Sequence, residues 1–151
     1  MSSVPKESRF TMPLPDFVKS ELDLIEIPAA RIVRLLELSS WDDDQTTASG
    51  TYVQNVYMGI ERILQFILKE RGEELPKSPT WHYSLLKLSS SCGLVPLETV
   101  PVLENLMKYR HRHVHGYGHM LDESKLRELA IPISTTFRLF KAYILKLYRE
   151  G

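Results

Sequence analysis

The stretch Val53-Gln54-Asn55-Val56-Tyr57-Met58-Gly59-Ile60-Glu61-Arg62-Ile63-Leu64-Gln65-Phe66-Ile67 repeats apolar residues at Val53, Tyr57, Ile60, Leu64 and Ile67. Alternating steps of four and three place these side chains along one face of an α-helix, a pattern that a strand of period two cannot hide on one side. Arg71-Gly72 and then Pro76 predict its end: a basic last turn, a residue that accepts left-handed backbone, and a barrier to continuation. Glu61 lies at the edge of the stripe.

The same period runs outward in both directions. Upstream, Val18, Leu22, Ile25, Ala29, Ile32 and Leu36 line a first helix that Asp16 is placed to cap and that Pro28, lacking a backbone donor, is expected to kink. The polar run Ser39 to Gly50 reads as a connection leading into the second helix. Downstream, Ser78-Pro79-Thr80 opens a short third helix with Trp81, Leu85 and Leu88, ending near Cys92-Gly93. His82 stands alone on it and is assigned no role. Pro96, Glu98 and Pro101 lead into a fourth helix whose stripe is Val102/Leu103, Leu106, Met107, Arg110 and Val114, with Gly116 and Gly118 as its expected end. Asp122 caps a last helix carrying Leu126, Leu129, Ile133, Phe137, Phe140, Ile144 and Leu147, interrupted at Pro132. The expectation is an all-α chain: a single-domain, mainly antiparallel bundle of about five helices. Residues 1–15, with Pro5, Pro13 and Pro15, form an irregular lead-in, and 16–151 form the helical domain.

Composition narrows the function classes. The chain has 151 residues, 43% hydrophobic and 25% charged, enough for one ordinary core. Nineteen basic residues balance nineteen acidic ones, so any nucleic-acid site must be a local patch and not a global basic field. No apolar run is long enough for a membrane span or a secretory signal, and the one cysteine, Cys92, excludes an internal disulfide framework. A cytoplasmic location without membrane attachment is the expectation.

That local patch is legible in Leu106-Met107-Lys108-Tyr109-Arg110-His111-Arg112-His113-Val114-His115-Gly116-Tyr117-Gly118-His119, which holds four of the five histidines. Three readings compete. As a basic helix end, its cations offset the negative end of the helix dipole. As a metal site it is poorly spaced, because residues two apart point to nearly opposite sides and only His115 and His119 are four apart, across two glycines. As a phosphate site it supplies a permanently charged fork in Arg110 and a titratable group in His115, which a bend at Gly116 brings towards each other. No Glu-x-x-His pair supports a di-iron bundle.

Arg110, four residues, then His115, Gly116 and Tyr117 resemble the Arg-X4-His-X-Tyr motif of HepT-type HEPN-domain ribonuclease toxins. The likeness extends to Tyr57-Met58-Gly59-Ile60-Glu61-Arg62-Ile63-Leu64, Pro79-Thr80-Trp81-His82, Tyr109-Arg110-His111, Tyr117-Gly118 and Leu121-Asp122, covering about Tyr52 to Tyr148. It implies a HEPN-like fold and a toxin of the type VII HEPN/MNT toxin–antitoxin kind: a metal-independent endoribonuclease with no cofactor, working as a homodimer on RNA, with tRNA and mRNA as candidate classes. By this resemblance Arg110 and His115 are the catalytic pair. Tyr117 is the tyrosine to which an MNT-type nucleotidyltransferase antitoxin transfers AMP. Lys108, His111, Arg112, His113 and Glu61 take supporting or RNA-binding positions. Val114 departs from relatives that carry an arginine directly before the histidine. The alternative in a different class is a non-catalytic HEPN-like module that binds a nucleotidyltransferase or nucleic acid.

Overall fold

Asp42 starts the longest helix of the chain earlier than apolar periodicity predicts. A computed structural model describes residues 12–114 and 122–148, and places α1 at Asp16–Leu36, α2 at Asp43–Glu70 and α3 at Trp81–Ser91. A 3-10 turn at Leu97–Thr99 leads into α4 at Val100–Val114, followed by α5 at Glu123–Ala130 and α6 at Ile133–Tyr148. The described residues form an all-α helical bundle. Residues 1–11 of the expected lead-in lie outside them, as do Gly116 and Gly118, where the fourth helix was expected to end.

The polar run expected to be a connection is therefore helical from Asp43 onward. The Asp42 carboxylate accepts the Gln45 amide at 2.8 Å, and the Gln45 side chain accepts the Asp42 amide at 2.9 Å. This reciprocal box satisfies two of the donors that a helix start leaves unpaired. Asp43 and Asp44 add negative charge to the first turn, where the helix dipole is positive. Capping chemistry, not a hydrophobic stripe, sets this boundary.

At α1 the assignment of Asp16 is corrected: Pro15 holds the extended cap position with no side-chain hydrogen bond, and Asp16 is the first helical residue. The helix is unbroken through Pro28. At the other end, Pro132 divides the last apolar pattern into α5 and α6, since it has no amide to continue a ladder. Asp122 accepts the Lys125 amide at 2.9 Å, as a cap should. Gly72 closes α2 in the left-handed region, with φ of +79°.

α2 is the hub, packing against α1, α3, α4 and α5. Its predicted stripe of Val53, Tyr57, Ile60, Leu64 and Ile67 is buried, joined by Leu22 and Ile32 of α1, Leu85 of α3, Leu103 and Leu106 of α4, and Phe140 of α6. Trp41 then ties the α1–α2 connection to α5. Its indole donates to the Leu35 carbonyl at 2.8 Å and its amide to Glu123 at 3.1 Å, while the Arg127 guanidinium lies 4.4 Å over its ring. The Trp41 amide, followed by Arg127, holds the Glu123 carboxyl below the usual range. Among the described residues no helix is long and apolar enough to cross a membrane.

Replacing Asp42 by Ala removes one half of the capping box and leaves the Gln45 amide without its acceptor. The urea midpoint of unfolding is expected to fall by the equivalent of about 1 kcal/mol. An unshifted midpoint would show that the box adds nothing to α2.

Candidate functional site

Three helices meet around a buried carboxylate. Tyr57 and Glu61 are four residues apart on α2 and so share one face of that helix. The Tyr57 hydroxyl donates to Glu61 Oε2 at 3.0 Å, and His82 Nδ1 of α3 reaches the same oxygen at 2.6 Å. Glu61 is 6% exposed and Tyr57 3%. A carboxylate oxygen only accepts, so the imidazole carries its proton on Nδ1. The His82 ring also lies over its neighbour Trp81, with centroids 3.7 Å apart.

Arg110 approaches from α4. Tyr57 has its hydroxyl pushed far above the ordinary tyrosine range by burial first, then by the charge of Glu61 and the hydrogen bond to it, while the Arg110 cation pulls the other way. The phenol therefore stays a neutral donor, and Arg110 lies close enough to influence it. Arg110 itself is half-buried, and its Nε is buried with no hydrogen-bond partner among the described residues. A buried donor left unpaired typically costs about 1–3 kcal/mol, and such groups often mark a site that a ligand completes.

The direction of Arg110 is set by the residue before it. Tyr109 is buried, and burial raises its hydroxyl. That hydroxyl occupies the space a side chain at Gly50 would need, with Leu126 of α5 also close by. Successive residues are about 100° apart around a helix, so seating Tyr109 against α2 fixes the rotation of α4 and with it the side on which Arg110 emerges. Gly50, expected to lie in a connection, is thus a packing position of α2.

The structure brings together only part of the expected residue set. Arg110 and Glu61 both bear on the Tyr57 hydroxyl; Lys108 and His111 are exposed on α4. His115 and Tyr117 lie outside the described residues, as do the side chains of Arg112 and His113, so none of these four is placed. His82, given no role as an isolated helical histidine, is partner-bonded, and its partner is Glu61. Its signal was the meeting of two stripe edges, since Glu61 borders the apolar face of α2 and His82 borders the line Trp81, Leu85, Leu88 of α3.

A family model described as HepT-like protein matches residues 48–150. No curated protein and no solved structure matches the chain.

Gly50→Val would drive a branched side chain into the Tyr109 hydroxyl. Overpacking of this kind is expected to lower unfolding stability by about 1–3 kcal/mol, measured by urea titration. Gly50→Val paired with Tyr109→Phe should recover part of that loss. A stable single variant would exclude close seating of Tyr109 on α2.

Proposed function

Since the chain belongs to the HepT-like family, we propose that it is a metal-independent endoribonuclease. In this reading it acts as the toxin of a type VII HEPN/MNT toxin–antitoxin pair in the cytoplasm. The observation that carries the reading is Arg110: a half-buried guanidinium on α4 whose Nε is buried without a hydrogen-bond partner among the described residues. It stands five positions before His115 in the chain. A phosphodiester is the kind of group that such a fork takes up with charge-assisted bonds.

The chemistry follows from those residue types. The ribose 2′-oxygen attacks the adjacent phosphorus while His115 accepts its proton or returns one to the departing 5′-oxygen. Arg110 stabilises the charge that gathers on the non-bridging oxygens. The O2′–P bond forms and the P–O5′ bond breaks, leaving a 2′,3′-cyclic phosphate and a 5′-hydroxyl. Lys108 and Arg112 add cationic contacts along the RNA backbone, with His111 and His113 beside them. Two protomers pair so that their motifs face one cleft. Control comes from a nucleotidyltransferase antitoxin: the Tyr117 phenol attacks the α-phosphorus of ATP, AMP is transferred and pyrophosphate leaves. The added phosphate occupies the donors that hold RNA and repels its backbone.

Pure protein incubated with total RNA and EDTA should yield cyclic-phosphate ends. Arg110→Ala and His115→Ala should each reduce cleavage by at least about a hundredfold while the helical circular dichroism persists. Intact RNA at high wild-type concentration favours the non-catalytic module instead.

For the modification, intact-mass analysis after incubation with the cognate nucleotidyltransferase and ATP should show AMP-sized additions, and Tyr117→Phe should abolish them. Additions that persist in that variant would place the modified residue elsewhere.

A further inference from the structure

α3 and α4 pack against each other and leave a groove at their junction, a cavity of about 630 Å³. Its lining includes Tyr83, Ser84, Lys87 and Ser90 of α3 on one side and Val100 and Glu104 of α4 on the other. A volume of this size lies within the range of about 300–1,000 Å³ that ligand sites usually occupy. Tyr83 is 49% exposed, and Lys87 is exposed with no ion-pair partner among the described residues. Steps of four and three between Tyr83, Lys87 and Ser90 put a ring, a cation and a hydroxyl on one face of the helix.

That combination suits one class of occupant. A half-exposed aromatic ring offers a platform for a base, and an unpaired ammonium with hydroxyl donors beside it suits a backbone phosphate. The groove also continues along the motif helix. Val100, Glu104, Lys108 and His111 are four, four and three residues apart, which keeps them on one face of α4, and Lys108 and His111 are exposed there. Glu104 precedes Arg110 by six residues, about 9 Å along the helix axis.

We propose that the α3–α4 groove is a docking track for the single-stranded RNA flanking the cleaved bond: one base stacks on Tyr83 and one phosphate is held by Lys87. The inference rests on the reading that Arg110 clamps a phosphodiester of RNA. Ser84 and Ser90 add hydrogen bonds to backbone oxygens, which position the strand without reading its sequence. Glu104 repels phosphate from the α4 wall and so keeps the backbone on the side of Lys87.

The probe is a fluorescent single-stranded 2′-O-methyl oligonucleotide, which offers bases and phosphodiesters but no hydroxyl to attack, so anisotropy reads binding apart from cleavage. Tyr83→Ala should weaken binding about fivefold or more, and Tyr83→Phe, which keeps the ring, should recover that loss. Lys87→Gln should weaken binding and lower the slope of log affinity against log salt by about 0.7, the loss of one phosphate contact on a single strand. Glu104→Gln should act in the opposite direction and tighten binding. Lys19→Gln, which removes a positive charge from α1, should leave the salt slope unchanged.

Wild-type binding by both Tyr83→Ala and Lys87→Gln overturns the track, and cleavage of RNA by the wild type would then leave the ribonuclease reading in place. An effect of Lys19→Gln equal to that of Lys87→Gln also overturns the track, since it marks a general dependence on charge. The expected binding pattern without any RNA cleavage by the wild type supports the track and removes the ribonuclease reading alone. A wild type that binds no oligonucleotide overturns both. Circular dichroism of each variant confirms that a loss of affinity is not a loss of fold.

Discussion

A carboxylate buried in the central helix is the constraint on which the rest of the arrangement turns. α2 touches four other helices, and Glu61 sits on it almost out of reach of water. An ionised group in that position is costly by several kcal/mol unless its lone pairs are met. Tyr57 meets one from the same helix, but a second donor has to come from elsewhere, and α3 supplies it in His82. The bond to Glu61 therefore adds a polar restraint to a short helix that Leu85 and Leu86 already anchor in the core, with Trp81 and Leu88 packed against it.

α4 is placed by a different rule with a related outcome. Leu103, Leu106 and Met107 bury its stripe, and Tyr109 fits into the gap left at Gly50, which sets the helix rotation. Arg110 emerges next to that apolar contact and inherits its rigidity. A cation carried at the border of a packed stripe has little freedom to swing away, unlike one on a solvated face. Packing and chemistry are thus coupled by adjacency in sequence: the wedge at 109 aims the fork at 110.

Much of this was legible in the chain because apolar periodicity is a local signal. The stripe of α2 is buried as its spacing predicts, as is that of α1 except for the half-buried Leu36, and the interruption at Pro132 divides the last pattern where its missing amide requires. The start of α2 was not legible from that signal. Residues 43–48 lack an apolar stripe, and a box between Asp42 and Gln45 decides the boundary instead. The partner of His82 was not legible for another reason: it lies 21 positions away, and a bond between helices has no local signature. Arg110 was singled out because a charge on an apolar line is itself anomalous. His115 and Tyr117 were named by motif alone and lie outside the described residues.

Arg110 shows the opposite balance to Glu61. The carboxylate has two donors on one oxygen, whereas the half-buried guanidinium keeps a buried Nε with no acceptor among the described residues, a desolvation cost that packing imposes and that no described side chain relieves.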